Sequence, residues 1–302
     1  MNILISGSTG MIGTALIETL KGQNHRITRL VRSPLQSSES TVQWNPATGK
    51  LNVQEIAGCD AVVHLAGESI AASRWTEAQK AKIRDSRVQG TTLLSETLAQ
   101  LAKPPKVLVC ASAIGYYGNR GDTILREDSG AGAGFLADIC QEWESAADPA
   151  KKKGIRVVHV RTGIVLSPKG GALAKMLLPF KLGVGGIMGD GRQYWSWISL
   201  DDVIGAFQHA LTNENVTGAV NAVAPRAVTN AEFTKTLGKV LSRPTIFPLP
   251  GFAARLALGE MADDLLLSSA RLEPARLLAT GYKFHHPELE GALHNLLQRK
   301  VG

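Results

Sequence analysis

Seven residues near the amino terminus, Gly7-Ser8-Thr9-Gly10-Met11-Ile12-Gly13, have the types and the spacing to hold a diphosphate. The G-x-x-G-x-x-G pattern follows the apolar run Ile3-Leu4-Ile5 at once and opens an amphipathic stretch. In that setting Gly7 serves a tight turn, Gly10 lets the backbone approach a pyrophosphate, and Gly13 lets helix and strand touch. Free N–H groups at the helix start then face the phosphates. A second chemical choice is made at the end of the next β-rich run. A site for NAD places Asp or Glu about 20 residues beyond the glycines, to hold the ribose 2′-hydroxyl. Here no acid occurs between Glu18 and Glu39, and the run ends in Leu30-Val31-Arg32-Ser33. A guanidinium and a hydroxyl at that tip suit a 2′-phosphate through charge-assisted hydrogen bonds. The expected cofactor is NADP(H).

Such residues need elements that bring strand ends to one edge. Short β-rich runs are expected over 2–6, 26–31, 61–65, 106–110 and 155–160, with helices over 11–21, 77–102 and 134–153. Apolar strands alternating with helices predict an α/β fold, a doubly wound parallel sheet with right-handed crossovers. Beyond about residue 165 the pattern changes. A Gly-rich aromatic segment over 183–197 leads to Ser199-Leu200-Asp201-Asp202, a capping box opening a helix to about Leu211. Thr229-Asn230-Ala231-Glu232 repeats that signature, and 252–278 is expected to be helical. The expected organisation is a cofactor domain over 1–165 and a smaller C-terminal substrate lobe over 166–302. Parts of 195–225 are expected to return to the sheet. Lys181, Arg192, Gln193, Tyr194 and Trp197 form a polar and aromatic set able to grip an anionic, ring-bearing substrate.

Composition excludes several classes. With 302 residues, 44% apolar and 20% charged, the chain can bury a core and is not globally disordered. The formal charge of +7 is dispersed rather than clustered with aromatics, so no nucleic-acid partner is expected. No stretch reaches 18 apolar residues without a charge, and glycines stand where a signal peptide needs its apolar centre. A cytoplasmic protein with no membrane partner is expected. The three cysteines, Cys59, Cys110 and Cys140, have no metal-ligand spacing, so no metal is expected either.

Several longer motifs carry a resemblance. His64-Leu65-Ala66-Gly67, Ala111-Ser112-Ala113-Ile114-Gly115-Tyr116-Tyr117-Gly118, Arg161-Thr162-Gly163-Ile164-Val165 and Trp197 to Val203 resemble the extended short-chain dehydrogenase/reductases, the sugar-nucleotide epimerase/dehydratase group. Ala66-Gly67-Glu68, Arg74-Trp75-Thr76, Ser86-Arg87 and Pro179-Phe180-Lys181-Leu182-Gly183 are similar to the atypical subgroup called epimerase family protein, or family 39U. The region over 248–297 is expected to be specific to that subgroup. The resemblance implies a Rossmann fold and a set of cofactor contacts: Gly7 to Gly13, Arg32, Ser33, Leu65, Ala66, Gly67, Arg87, Ala111, Arg161, Gly163, Ile164 and Val165. Leu65 and Ala66 would line the adenosine ribose, and Ile164 and Val165 would flank the nicotinamide.

One departure bears on catalysis. The wider family moves a proton with a Tyr whose pKa is lowered by a Lys four residues later, beside a Ser. The four tyrosines here are followed at that spacing by Arg120, Gly121, Ile198 and His286. In the aligned helix Leu136 takes the Tyr position and Cys140 the Lys position. Ser112 and Tyr117 remain as catalytic candidates. His64 and the pair Asp201 and Asp202 are expected to be structural. Two functions follow: an NADP-dependent oxidoreductase or epimerase acting on a small, anionic or nucleotide-linked substrate, or a non-catalytic NADP(H)-binding regulator like relatives labelled as cell-division inhibitors. The resemblance leaves a homodimer open.

Overall fold

The computed structural model describes residues 1–33 and 40–298; the expectations that touch 34–39 and 299–302 lie outside the described residues. The first elements are β1 (Asn2–Ser6), α1 (Met11–Gly22), β2 (Arg26–Val31), β3 (Ser40–Asn45), β4 (Lys50–Leu51), β5 (Ala61–His64), α2 (Glu77–Gln100) and β6 (Val107–Ala113). Then come β7 (Ile124–Leu125), α3 (Phe135–Ser145), α4 (Asp148–Lys152), β8 (Arg156–Thr162), β9 (Ile164–Leu166), α5 (Gly171–Lys181), β10 (Tyr194–Trp195), β11 (Trp197–Ser199) and α6 (Leu200–Thr212). The chain continues with β12 (Gly218–Ala222), β13 (Val228–Thr229), α7 (Asn230–Leu241), α8 (Gly251–Leu258), α9 (Glu260–Ala262), β14 (Arg271–Leu272), α10 (Ala275–Ala279) and α11 (Leu289–Gln298). Two compact units emerge, one of Met1–Ser112, Ile139–Val160 and Phe207–Val220, the other of the remaining segments.

The first unit is built on an eight-stranded sheet in the order β12-β8-β6-β5-β1-β2-β3-β4. The pairs β1–β2, β1–β5, β2–β3 and β5–β6 are parallel, and β3–β4 closes one edge antiparallel. β5 is buried at every residue and β1 at all but its first, so both faces demand cover by helices. The α/β parallel-sheet fold expected from sequence is the one adopted. Leu4, Val62 and Leu108 meet Leu94 and Leu98 of α2 in one core cluster. From β1 the order runs to β2 and β3 on one side and to β5 and β6 on the other. This reversal is where open α/β sheets bind ligands, at the carboxyl ends of their strands.

The second unit gathers Trp195, Trp197, Phe233 and Leu293 into its own core. As expected, Ser199 caps α6: its Oγ accepts from the Asp202 N–H at 3.0 Å and donates to Asp202 Oδ2 at 2.7 Å. Thr229 caps α7 through the Glu232 N–H. Asp202, 1% exposed, is used far beyond the cap. Its carboxylate also accepts from the N–H groups of His285 (2.7 Å) and His286 (3.0 Å) and from the Tyr282 hydroxyl (3.2 Å). Burial, with Asp202 beside it, pushes the Tyr282 pKa up.

Two expected helices are broken. The stretch over 134–153 divides into α3 and α4 because Pro149 has no N–H to continue the ladder and sits instead in the first turn of α4. The stretch over 252–278 stops at Gly259, whose φ of +64° ends α8, and Pro274 restarts it as α10. Between them the chain makes α9, a single π-type turn and β14.

Candidate active site

Strand register brings the expected cofactor residues of the first unit to one edge. Ser6 is level with Leu30 on one side and His64 on the other, and His64 is level with Cys110. Gly7, Leu65 and Ala111 therefore each lie one residue past that level, and Arg32 and Ser112 lie two past it. Gly7 turns the chain with φ +66°, and its carbonyl accepts from the Gly10 N–H at 3.1 Å. A Cβ on Gly7 would stand 2.6 Å from the carbonyl carbon of Leu65, and one on Gly13 would overlap the Gly7 carbonyl oxygen. Both glycines are thus required by the protein itself. Gly10 is not: a Cβ there meets nothing closer than 3.4 Å. A Cβ there would make only ordinary contact with the Gly7 carbonyl oxygen, so packing within the chain does not by itself demand a glycine at this position.

The start of α1 is open. Gly10 is its N-cap, no side chain caps it, and its first turn carries no acid. The other long helix of this unit, α2, has Thr76 accepting from the Gln79 N–H. The first amides of α1 are thus left for an external acceptor, with the positive end of the helix dipole behind them. Arg32 and Ser33 are exposed at the tip of β2.

Ser6 and His64 hold the loop beyond β5 in place. The Ser6 Oγ accepts from the N–H groups of Leu65 (3.1 Å) and Ala66 (3.3 Å), so its own proton goes to His64 Nδ1 at 2.6 Å. The proton on His64 then sits on Nε2, which has no partner among the described residues. Burial pushes the His64 pKa down to about 4 from the ordinary 6.5. The histidine is a neutral group of the core, as expected. A pH dependence follows. Between pH 6.5 and pH 4 the unfolded chain takes up a proton that the native chain refuses. This contribution to stability is present above the unfolded pKa and is lost as pH falls through that window, with a slope of up to about 1.4 kcal/mol per pH unit. Urea midpoints across the window should fall more steeply for the parent than for His64→Gln; parallel slopes would refute the assignment.

Arg87, on α2, crosses to the same loop. Its Nη1 donates to the carbonyl oxygens of Glu68 and Ile83, both at 3.0 Å, and its Cζ lies 5.0 Å from the Trp143 ring centroid. Gly67 gives it room, since a Cβ there would come within 3.4 Å of Cζ. Burial lowers its pKa, with Cys140 and Glu68 opposing. Ser112 donates from Oγ to Glu144 Oε1 at 2.7 Å. No local spacing encodes that pairing, since the residues are 32 apart and on different elements.

The remaining expected residues belong to the second unit. Tyr117 is fully buried; its hydroxyl donates to Asn221 Oδ1 at 2.7 Å and accepts from Arg161 Nη1 at 2.9 Å. Arg161 also stacks on Tyr116, its Cζ 3.4 Å from the ring centroid. Burial pushes the Tyr117 pKa up to about 12, against the pull of Arg161. Glu127, 7% exposed, accepts from the N–H groups of Asn221 and Arg276. Neither Asn221 as the partner of Tyr117 nor Glu127 as the acceptor for the Asn221 N–H was legible in the sequence. Gly163, Ile164 and Val165 run from β8 into β9, where Ile164 and Val165 pair in parallel with Trp197 and Ile198. Of the set proposed to grip substrate, Trp197 is core and Gln193 spends its amide on the carbonyls of Met188 and Leu266, while Lys181 and Arg192 stay exposed. In α3, Leu136 and Cys140 stand where a proton-transferring Tyr and Lys were sought. No group of metal-ligating side chains exists among the described residues.

The model of the NAD dependent epimerase/dehydratase family matches residues 3–223, and that of a domain of unknown function, DUF1731, matches 249–296. An epimerase family protein of Mycobacterium bovis is 45% identical over 291 residues, covering 96% of each chain. The epimerase family protein SDR39U1 of Homo sapiens is 37% identical over 300 residues, 98% of this chain and 100% of that one. The crystal structure of that human protein (isoform2) with NADPH has a TM-score of 0.89 at 36% identity, covering 99% of this chain and 100% of that chain.

Proposed function

Because the chain belongs to the NAD dependent epimerase/dehydratase family, we propose that it binds NADPH along the carboxyl edge of its parallel sheet. The observation that carries this reading is the uncapped, acid-free start of α1 behind a glycine loop, with Arg32 and no acid at the tip of β2. That packing within the chain does not demand Gly10 supports a close approach of a pyrophosphate to its backbone. The NADPH named with the human relative's structure supports the same choice. Gly7, Ser8, Thr9, Gly10, Met11, Ile12 and Gly13 would hold the pyrophosphate, and Arg32 and Ser33 the 2′-phosphate. Leu65, Ala66 and Gly67 would line the adenosine side, with Arg87 and Ala111 beside them. By the family resemblance, Arg161, Gly163, Ile164 and Val165 are further candidates for cofactor contact. When bound, the cofactor supplies a hydride donor or acceptor.

Acting on a small anionic or nucleotide-linked substrate, the chain itself must orient that molecule and handle one proton. Ser112 is the side chain we assign to this. Its proton is given to Glu144, so its lone pairs can accept from a substrate hydroxyl, and the carboxylate behind it can take up the proton. Tyr117, held between Arg161 and Asn221 with a raised pKa, serves as a fixed wall group rather than a base. A second reading is favoured by Leu136 and Cys140: an NADP(H)-binding regulator in which bound cofactor sets conformation and nothing is turned over.

Calorimetric titration of cofactor-stripped protein with NADPH and with NADH tests the cofactor reading. Binding of NADPH with clear preference over NADH is expected; equal affinities would refute the role of Arg32, and no heat with either would refute the site. Oxidation of NADPH with a panel of nucleotide sugars and carbonyl compounds separates the two readings.

A further inference from the structure

The turn that follows β6, Ile114–Tyr117, carries two tyrosines with opposite fates. Tyr117 enters the core and Tyr116 stays half-buried, the two rings standing edge to face at 81° with centroids 5.2 Å apart. The Tyr117 hydroxyl is used twice inside the protein, whereas the Tyr116 hydroxyl has no hydrogen-bond partner among the described residues. The turn is firmly held. The Gly132 N–H donates to the Tyr116 carbonyl oxygen at 2.9 Å, and a Cβ on Gly132 would overlap the Tyr117 carbonyl. A Cβ on Gly115 would stand 3.0 Å from the Leu136 Cβ, so the turn packs against the very residue that takes the family's tyrosine position.

Arg161 lies against the face of the Tyr116 ring, its Cζ 3.4 Å from the centroid, and is itself only 4% exposed. The contact is attractive in its own right. The Arg161 bond to the Tyr117 hydroxyl also keeps the guanidinium from moving away. A fixed positive charge therefore stands behind a phenol whose oxygen nothing in the protein engages. We propose that Tyr116 meets the reacting end of the substrate, its hydroxyl donating a hydrogen bond to the oxygen on the carbon that gains or loses hydride. The Arg161 charge behind the ring favours the negative charge that gathers on that oxygen. The phenol missing at Leu136 and the cation missing at Cys140 are thus supplied by a different pair, from other elements. Tyr116 keeps its proton, and proton transfer stays with Ser112 and Glu144. The assignment rests on the NADPH-dependent enzyme reading above, and it makes the substrate a carbonyl compound or a secondary alcohol.

Tyr116→Phe removes a hydroxyl that holds no hydrogen bond within the described residues, so the fold should not register its loss. With NADPH and the panel of nucleotide sugars and carbonyl compounds, kcat should fall about 100- to 1,000-fold with little change in KM, as when one donor to a developing oxyanion is removed. NADPH affinity by calorimetry and the melting temperature should match those of the parent. A parental kcat in the variant overturns the proposal, as does a rise in KM alone. A matching loss of NADPH affinity or of melting temperature also overturns it, because the hydroxyl would then be structural. A parent that binds NADPH yet oxidises it with no member of the panel overturns the assignment of Tyr116 and leaves the cofactor site standing. No binding of NADPH by the parent removes both.

Discussion

Arg32→Glu is expected to weaken NADPH binding by on the order of 2–3 kcal/mol, roughly 30- to 150-fold, while leaving NADH affinity nearly unchanged. Two terms add. The charge-assisted bonds from the guanidinium to a 2′-phosphate are lost, and a carboxylate is brought against a dianion. Arg32 is exposed at the tip of β2, so the substitution removes no packing and the fold should be indifferent to it. A carboxylate at that tip is also what a 2′-hydroxyl requires. Isothermal titration of parent and variant with both dinucleotides reads the effect as a change in the NADPH-to-NADH affinity ratio. Unchanged NADPH affinity would mean that the 2′-phosphate is held elsewhere.

The larger effect on the fold itself should come from Gly7→Val. Two costs fall on one position. A side chain at φ +66° in the left-handed region costs about 1–2 kcal/mol. The new Cβ would also stand 2.6 Å from the Leu65 carbonyl carbon and 2.7 Å from its oxygen. Backbone cannot swing aside as a lysine tip would, so a further ~1–3 kcal/mol of overpacking is expected. The sum, roughly 2–5 kcal/mol, is large against ordinary domain stabilities. Because Leu65 is also the residue whose amide is held by Ser6, the displacement would open the loop over 64–67 and abolish binding of the dinucleotide. Gly22→Ala, in the last turn of the same helix with nothing within 4 Å of the new Cβ, is the matched control. It should be neutral or stabilising by about 0.5–1 kcal/mol. Urea denaturation of the three proteins measures the difference; equal midpoints for Gly7→Val and the parent would refute the steric account of this loop.

What could be read from the sequence is what depends on neighbours in the chain. The glycine loop, the tip of β2 and the caps at Ser199 and Thr229 are local patterns, and each was legible. β3 was not, although Val42 and Trp44 alternate into the core between exposed residues, because six residues of mixed polarity carry little weight alone. The break between α3 and α4 turns on Pro149, a residue the apolar period does not register. The side-chain network was the least legible part. Tyr117 meets Arg161 at a separation of 44 residues and Asn221 at 104, and Ser112 meets Glu144 across two elements. No spacing rule encodes such pairs; they exist only once the strands have taken their order. Likewise the exposure of Phe252 and Leu256 reverses what their residue types suggest, because in α8 it is Ala254 that faces the core.

The buried carboxylate of Asp202 bears on the order in which the polypeptide is finished. Three of its partners, Tyr282, His285 and His286, lie 80 or more residues downstream. During synthesis at roughly 5–20 residues per second, the start of α6 would wait on the order of 4–17 s for those groups to be made. Until then the carboxylate must stay hydrated, and the segment around Gly205, where the Tyr282 ring later settles, cannot close. The buried network at Asp202 therefore closes only once the segment carrying Tyr282, His285 and His286 has been made, long after the early strands of the first unit.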